Sequence, residues 1–221
     1  MEKPIDHFWS LKLAAVRDAL EANNFAAYVA ADVAQARRIV FDDILPKLSA
    51  TSVSWGGSMT FKKTGLYDDF LAGLGPTAGL KLFDTYAANL SREEVIELRR
   101  LGLHADLFVT GANAITAGGQ LVNLDMIGNR VASLTFGPRH VLVLAGRNKI
   151  VDDLNAAFAR IKEYAAPVNA MRLDKKTPCV KTGQCEECKS PDRICNTWTI
   201  TEKSFPKGRT IVVLIDEDLG L

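Results

Sequence analysis

The feature that most constrains this chain is a repeated alternation of short apolar runs with segments of helical period. Leu13, Val16, Ala19 and Leu20 fall on one helical face after Ser10, which can cap a helix running to about Asn23. Residues 25–30 read as a strand. Asp32 then caps a second helix, with Val33, Ala36, Val40 and Ile44 three or four apart and Pro46 marking its end. Further strands are expected around Val53, at 81–84, at 106–110 and at 140–145, the most apolar run of all. Between them, Ser91 and Glu94 form a capping box that opens a helix to about Leu101, and 152–164 is amphipathic. Residues 115–125 read as a hairpin turning at Gly118-Gly119. Strands separated by helices predict an α/β fold, with a mainly parallel sheet and helices on both faces.

The texture changes near Pro167. Residues 172–209 hold nine Lys/Arg against five Asp/Glu, three prolines and few aliphatic residues, so they cannot build much core alone. Thr210–Ile215 reads as one more strand tying the tail to the sheet. The expected organisation is an α/β domain over 1–170, a cysteine-containing segment over 171–209, and a returning strand over 210–221. The formal net charge of +1 points to no particular partner, and the lack of a basic stripe in the first 170 residues argues against nucleic acid. No apolar run reaches the ~18 residues of a membrane-spanning helix. The start, Met1 to Asp6, lacks a secretory pattern, so a cytoplasmic location without membrane insertion is expected.

Two glycine-rich segments do not read as pure core. In Gly56-Gly57-Ser58, a strand ends in a double glycine, and Ser58 can cap a helix whose free N–H groups suit a phosphate or carboxylate. A tight turn that simply needs glycine explains the same residues. The second segment places Asn113, Thr116, Asn123, Asp125, Asn129 and Arg130 within 18 positions, among glycines that include Gly111. Ligands in open α/β sheets gather at strand carboxyl ends, where Gly111 and Asn113 would lie. Asn129 can cap a helix, Asp125 can ion-pair with Arg130, and Asp125 is the candidate general base. Satisfied turn residues are the alternative for any one position. For the whole segment, a site for a small anionic metabolite is expected.

The run from Gly111 to Pro138, including Gly111-Ala112-Asn113-Ala114-Ile115-Thr116-Ala117, Gly128-Asn129-Arg130-Val131-Ala132 and Phe136-Gly137-Pro138, resembles the LUD-domain family and its lactate utilization protein C group. The Gly56-Gly57-Ser58 turn is similar too. The resemblance implies a fold like the sugar-phosphate isomerase and coenzyme A transferase (NagB/RpiA-like) superfamily. It also implies a part in oxidising L-lactate to pyruvate, beside iron–sulfur partner proteins. It assigns no catalytic roles.

Four cysteines follow as Cys179-x5-Cys185-x2-Cys188-x6-Cys195, with Gly183 permitting a sharp turn before the close pair. Four thiolates suit an iron–sulfur cluster or zinc, although the spacing matches neither a zinc ribbon nor a common ferredoxin; redox-active or free thiols are the third option. Lys181, Lys189 and Arg193 would lower thiol pKa values. Many lactate utilization protein C relatives lack such a tail, and the chain resembles a subset that carries one. His7, His104 and His140 are scattered and read as surface or structural, and Lys62-Lys63 as a solvated helix face. No nucleophile elbow, Walker loop or dinucleotide fingerprint is present. The expected function is an electron-transfer or accessory protein for oxidation of L-lactate or a similar 2-hydroxy acid. The alternatives are an isomerase or acyl-transferase on a phosphorylated or carboxylated molecule, and a non-catalytic subunit with a structural zinc tail.

Overall fold

A computed structural model describes residues 3–221. The chain opens with α1 (Pro4–Ala22), β1 (Ala26–Ala30), α2 (Val33–Arg38) and, across a π-helical turn at Ile39–Ile44, α3 (Leu45–Leu48). Next come β2 (Ser52–Trp55), α4 (Met59–Lys63), α5 (Leu66–Ala72), β3 (Lys81–Phe83), α6 (Arg92–Leu101), β4 (Leu107–Gly111), β5 (Ala114–Thr116) and β6 (Leu121–Asp125). They are followed by α7 (Asn129–Thr135), β7 (His140–Gly146), β8 (Ile150–Val151) and α8 (Leu154–Arg160). A second π-helical turn, Ile161–Ala165, leads into α9 (Ala166–Arg172). Last are α10 (Pro178–Thr182), β9 (Thr197–Thr201) and β10 (Thr210–Ile215).

Six strands form one wholly parallel sheet in the order β1-β10-β7-β4-β2-β3. Every residue of β4 and β10 is buried, as expected where helices cover both faces of a parallel sheet. One face packs Trp55, Phe61, Leu66 and Phe70 with α2 and α3; the other packs Leu13, Val16 and Leu20 of α1 with Phe108, Val143 and Leu134. The returning strand is interior: β10 lies between β1 and β7 and pairs with each along its length. A second sheet, β8-β5-β6-β9, holds the 115–125 hairpin. Through β9 it also takes in part of the cysteine-containing segment, whose Cys195 and Trp198 pack on a small core with Phe158.

Several sequence expectations shift. The first helix begins at Pro4, with proline in its first turn, so Ser10 is an interior helical residue and not its cap. The second helical stretch passes through Pro46 and ends at Ser49 in a left-handed conformation, because the π-helical turn lets proline open a new helical segment without breaking the stretch. Pro167 likewise sits in the first turn of α9, so the helix expected to end at Tyr164 continues to Arg172. Asp32 and Ser91 cap as read, the latter with its complete capping box. No helix among the described residues is long and apolar enough to cross a membrane.

Candidate anion-binding cleft

Three neighbouring strands, β2, β4 and β7, end on the same edge of the sheet, and the chain beyond each lines a single cleft of 440 Å³. β2 contributes Gly57 and Ser58, β4 contributes Gly111, Ala112 and Asn113, and β7 leads to Lys149. Opposite them stand Asp125, Asn129 and Arg130, with α6 and α9 supplying the rim. Residues far apart in sequence thus meet where open α/β sheets commonly bind ligands.

The floor is a buried polar network. Arg130 donates from Nη2 to Asn113 Oδ1 (2.8 Å) and the Leu124 carbonyl (2.6 Å), and its Nε lies 3.5 Å from Asp125 Oδ1. Burial pushes the Arg130 guanidinium below its ordinary value, and Asp125 opposes that shift. Asp125 Oδ2 also accepts from the Arg130 backbone N–H. The expected ion pair therefore forms, but Asn129 does not cap: the N-cap is Gly128, and Asn129 is the first residue of α7. Asn113 Oδ1 accepts from Leu124 N–H as well, while its carbonyl accepts from Arg160. Much of this polar segment is thus occupied holding the hairpin against the sheet.

The glycine turn behaves in the same way. Ser58 Oγ accepts from Phe61 N–H and so caps α4. Its own N–H donates to Tyr86 Oη (2.9 Å), which in turn donates to the Gly56 carbonyl (2.6 Å). The Ser58 N–H is therefore taken by Tyr86. Gly56 does not line the cleft; a Cβ there would come within 3.1 Å of Phe108, Arg130 and Thr110. Gly111 serves a similar close approach, since a Cβ would lie 2.9 Å from Ser58 Oγ.

Sequence reading missed the strongest cations. Arg92 and Arg99 of α6, Arg172 of α9, and Lys175 join Arg130 and Lys149 in lining the cleft, against the single carboxylate side chain of Asp125. Among the described residues, Arg92, Arg99 and Arg172 make no ion pair within 4.0 Å. Lys149 is buried and donates to Thr60 Oγ1 and the Ala112 carbonyl, both at 3.0 Å. Burial, followed by Arg160 and Arg130, lowers its pKa from 10.5 to about 7. The only hint in the sequence was a cationic run, Arg147-Asn148-Lys149, directly after the most apolar strand. Asn123 lies outside the cleft lining, fully buried with its side-chain amide unpartnered. His7 and His104 are exposed, as are Lys62 and Lys63; Lys62 Nζ stands 4.2 Å from the centre of the Tyr86 ring.

Cys179, Cys185, Cys188 and Cys195 all line a second, small cavity of 20 Å³, walled by Ala166, Pro167 and Ala170 of α9. Ile194 borders both this cavity and the cleft. Arg193 ties the loop together by donating to the carbonyls of Cys188 (2.7 Å) and Cys195 (3.0 Å). Burial raises the Cys195 thiol despite Arg193 and Lys162, so at this thiol the expected lowering by basic neighbours is outweighed. All four thiols are free, and no three His, Cys, Asp or Glu side chains among the described residues already stand as a metal-ligand set.

The family model described as the LUD domain matches residues 13–215. A crystal structure of a DUF162 family protein from Deinococcus radiodurans aligns over 94% of this chain and 97% of its own, at 13% identity and a TM-score of 0.41. No curated protein matches.

Proposed function

We propose a function from the premise that this chain belongs to the LUD domain family. It is an accessory protein in the oxidation of L-lactate or a similar 2-hydroxy acid, and it holds the small acid, or the 2-oxo acid formed from it, in the cleft at the strand ends. One observation carries the reading: five cationic side chains, Arg92, Arg99, Arg130, Arg172 and Lys175, stand against one carboxylate side chain around a 440 Å³ cleft. Arg130 is balanced by Asp125, which leaves the rim arginines as the unneutralised charge. A small carboxylate fits such a rim through charge-assisted hydrogen bonds.

Calorimetric titration of the full chain with pyruvate, L-lactate, inorganic phosphate and a sugar phosphate tests this reading. The two small carboxylates should bind, and each of Arg99→Ala and Arg172→Ala should weaken them by about fivefold, as expected for loss of about 1 kcal/mol at a surface charge pair. Binding of the phosphates alone would overturn the reading in favour of an isomerase-like or transferase-like site.

A second reading concerns the tail, because all four cysteines line one cavity. We propose that Cys179, Cys185, Cys188 and Cys195 hold a metal through their thiolates. A cavity of 20 Å³ offers room for about one water-sized sphere. That size suits a single zinc ion better than a multi-iron cluster. An iron–sulfur cluster in its place would make the subunit an electron carrier, with iron–sulfur proteins as its redox partners.

A further inference from the structure

Lys149 has no role in anion recognition as set out above, yet its placement is unusual for a lysine. It is 5% exposed, and among the described residues no carboxylate stands within 4.0 Å of it. Buried amines are normally paired with an acid. Its neighbours are instead Thr60 Oγ1 and the Ala112 carbonyl. Thr60 Oγ1 spends its own hydrogen on the Leu219 carbonyl at 3.3 Å, so it acts only as an acceptor toward the lysine. A neutral amine has two hydrogens and one lone pair. The two acceptors take the hydrogens, and the lone pair remains available on a residue that lines the cleft. Arg130 and Arg160 add positive charge nearby and, with burial, favour this neutral form.

From this geometry we propose that Lys149 is a nucleophile that forms an imine with the carbonyl carbon of a 2-oxo acid whose carboxylate is held by the rim arginines. The proposal rests on the reading that the cleft takes a small carboxylate. Nζ adds to C2, and the carbonyl π pair moves to oxygen, which takes up a proton. The carbinolamine then expels that oxygen as water while the nitrogen lone pair closes the C=N bond. Both amine hydrogens leave in the water, and nothing is oxidised or reduced. The imine withdraws electrons from C3 and acidifies its hydrogens, as covalent catalysis by lysine requires. L-lactate has no carbonyl and can occupy the cleft only non-covalently.

The test is reductive trapping. The full chain is incubated with pyruvate and sodium borohydride, and the products are read by intact mass and peptide mapping. A single reduced pyruvyl adduct per chain is expected on the peptide carrying Lys149. It should be absent with L-lactate and absent in Lys149→Arg, whose fold is checked by circular dichroism. Mapping in the unmodified sequence keeps the result independent of whether the variant folds. An adduct spread over surface lysines, or none, overturns the imine. Calorimetry on the same samples separates the two failures: binding of both acids without trapping removes the imine alone, whereas binding of neither removes the carboxylate reading with it.

Discussion

At the residue scale, Lys149 links the fold to pH. Its ordinary value is 10.5, and the folded chain holds it at about 7. Between those values the unfolded state binds one more proton than the folded state, so stability rises with pH across that window, by up to about 1.4 kcal/mol per pH unit. Below about pH 7 both states are protonated, and the full cost of the buried charge is present. Lys149→Met removes this titration. Urea unfolding at pH 7 and pH 9 should therefore show the original chain gaining about 2 kcal/mol on the variant at the higher pH. An unchanged difference would mean that the buried amine stays charged throughout.

At the element scale, the hairpin of the second sheet is held by a contact through its turn. Gly119 has φ +77°, and a Cβ there would lie 2.7 Å from the Ala19 carbonyl carbon and 2.8 Å from Leu20 N, both backbone atoms of α1. Gly183, before the close cysteine pair, has φ +73° with nothing within 4 Å. The two glycines separate backbone strain from collision. Gly183→Ala should cost about 1–2 kcal/mol, the ordinary price of a left-handed residue. Gly119→Ala adds overpacking against a helix backbone that cannot yield, for a total of about 2–5 kcal/mol. Equal unfolding midpoints in urea for the two variants would refute the turn-to-helix contact.

The same elements show what sequence can and cannot reveal. The strands of the parallel sheet, the caps at Asp32, Ser58 and Ser91, and the hairpin turn were legible, because each follows from local periodicity or a local hydrogen bond, whereas the short strands at 150–151 and 197–201 carried no such signal. The Asp125–Arg130 pair was legible because its partners are five residues apart. Tyr86 was invisible as the partner of Ser58, for their meeting depends on β3 lying beside β2. The rim arginines of α6 and α9 carried no signal, since nothing local shows that the two helices border one cleft. The π-helical turns hid the true helix lengths by carrying prolines through the expected stops.

At the scale of the whole molecule, the least regular stretch is the loop between α10 and β9, which carries three of the four cysteines. If those thiols hold a metal, its binding free energy is added to folding. Protein purified without oxygen should carry about one zinc per chain, with no acid-labile sulfide. Removing it by chelation, or by the paired change Cys185→Ser with Cys188→Ser, should lower Tm by several degrees. Iron with matching sulfide would replace zinc by a cluster and support the electron-carrier role. A metal-free chain whose melting is indifferent to chelator would end the metal reading.

The interior position of β10 has a consequence for how the chain is made. The register sets Ala26 beside Ile211, and β1 has no other partner in the sheet. Closing contacts of such sequence separation is slow, because the loop entropy must be overcome first. On the ribosome, strand 26–30 emerges long before strand 210–215, and β7 must meanwhile wait with one edge bare. The strand that joins β1 to β7 is therefore missing from the nascent polypeptide until residues 210–215 have been made.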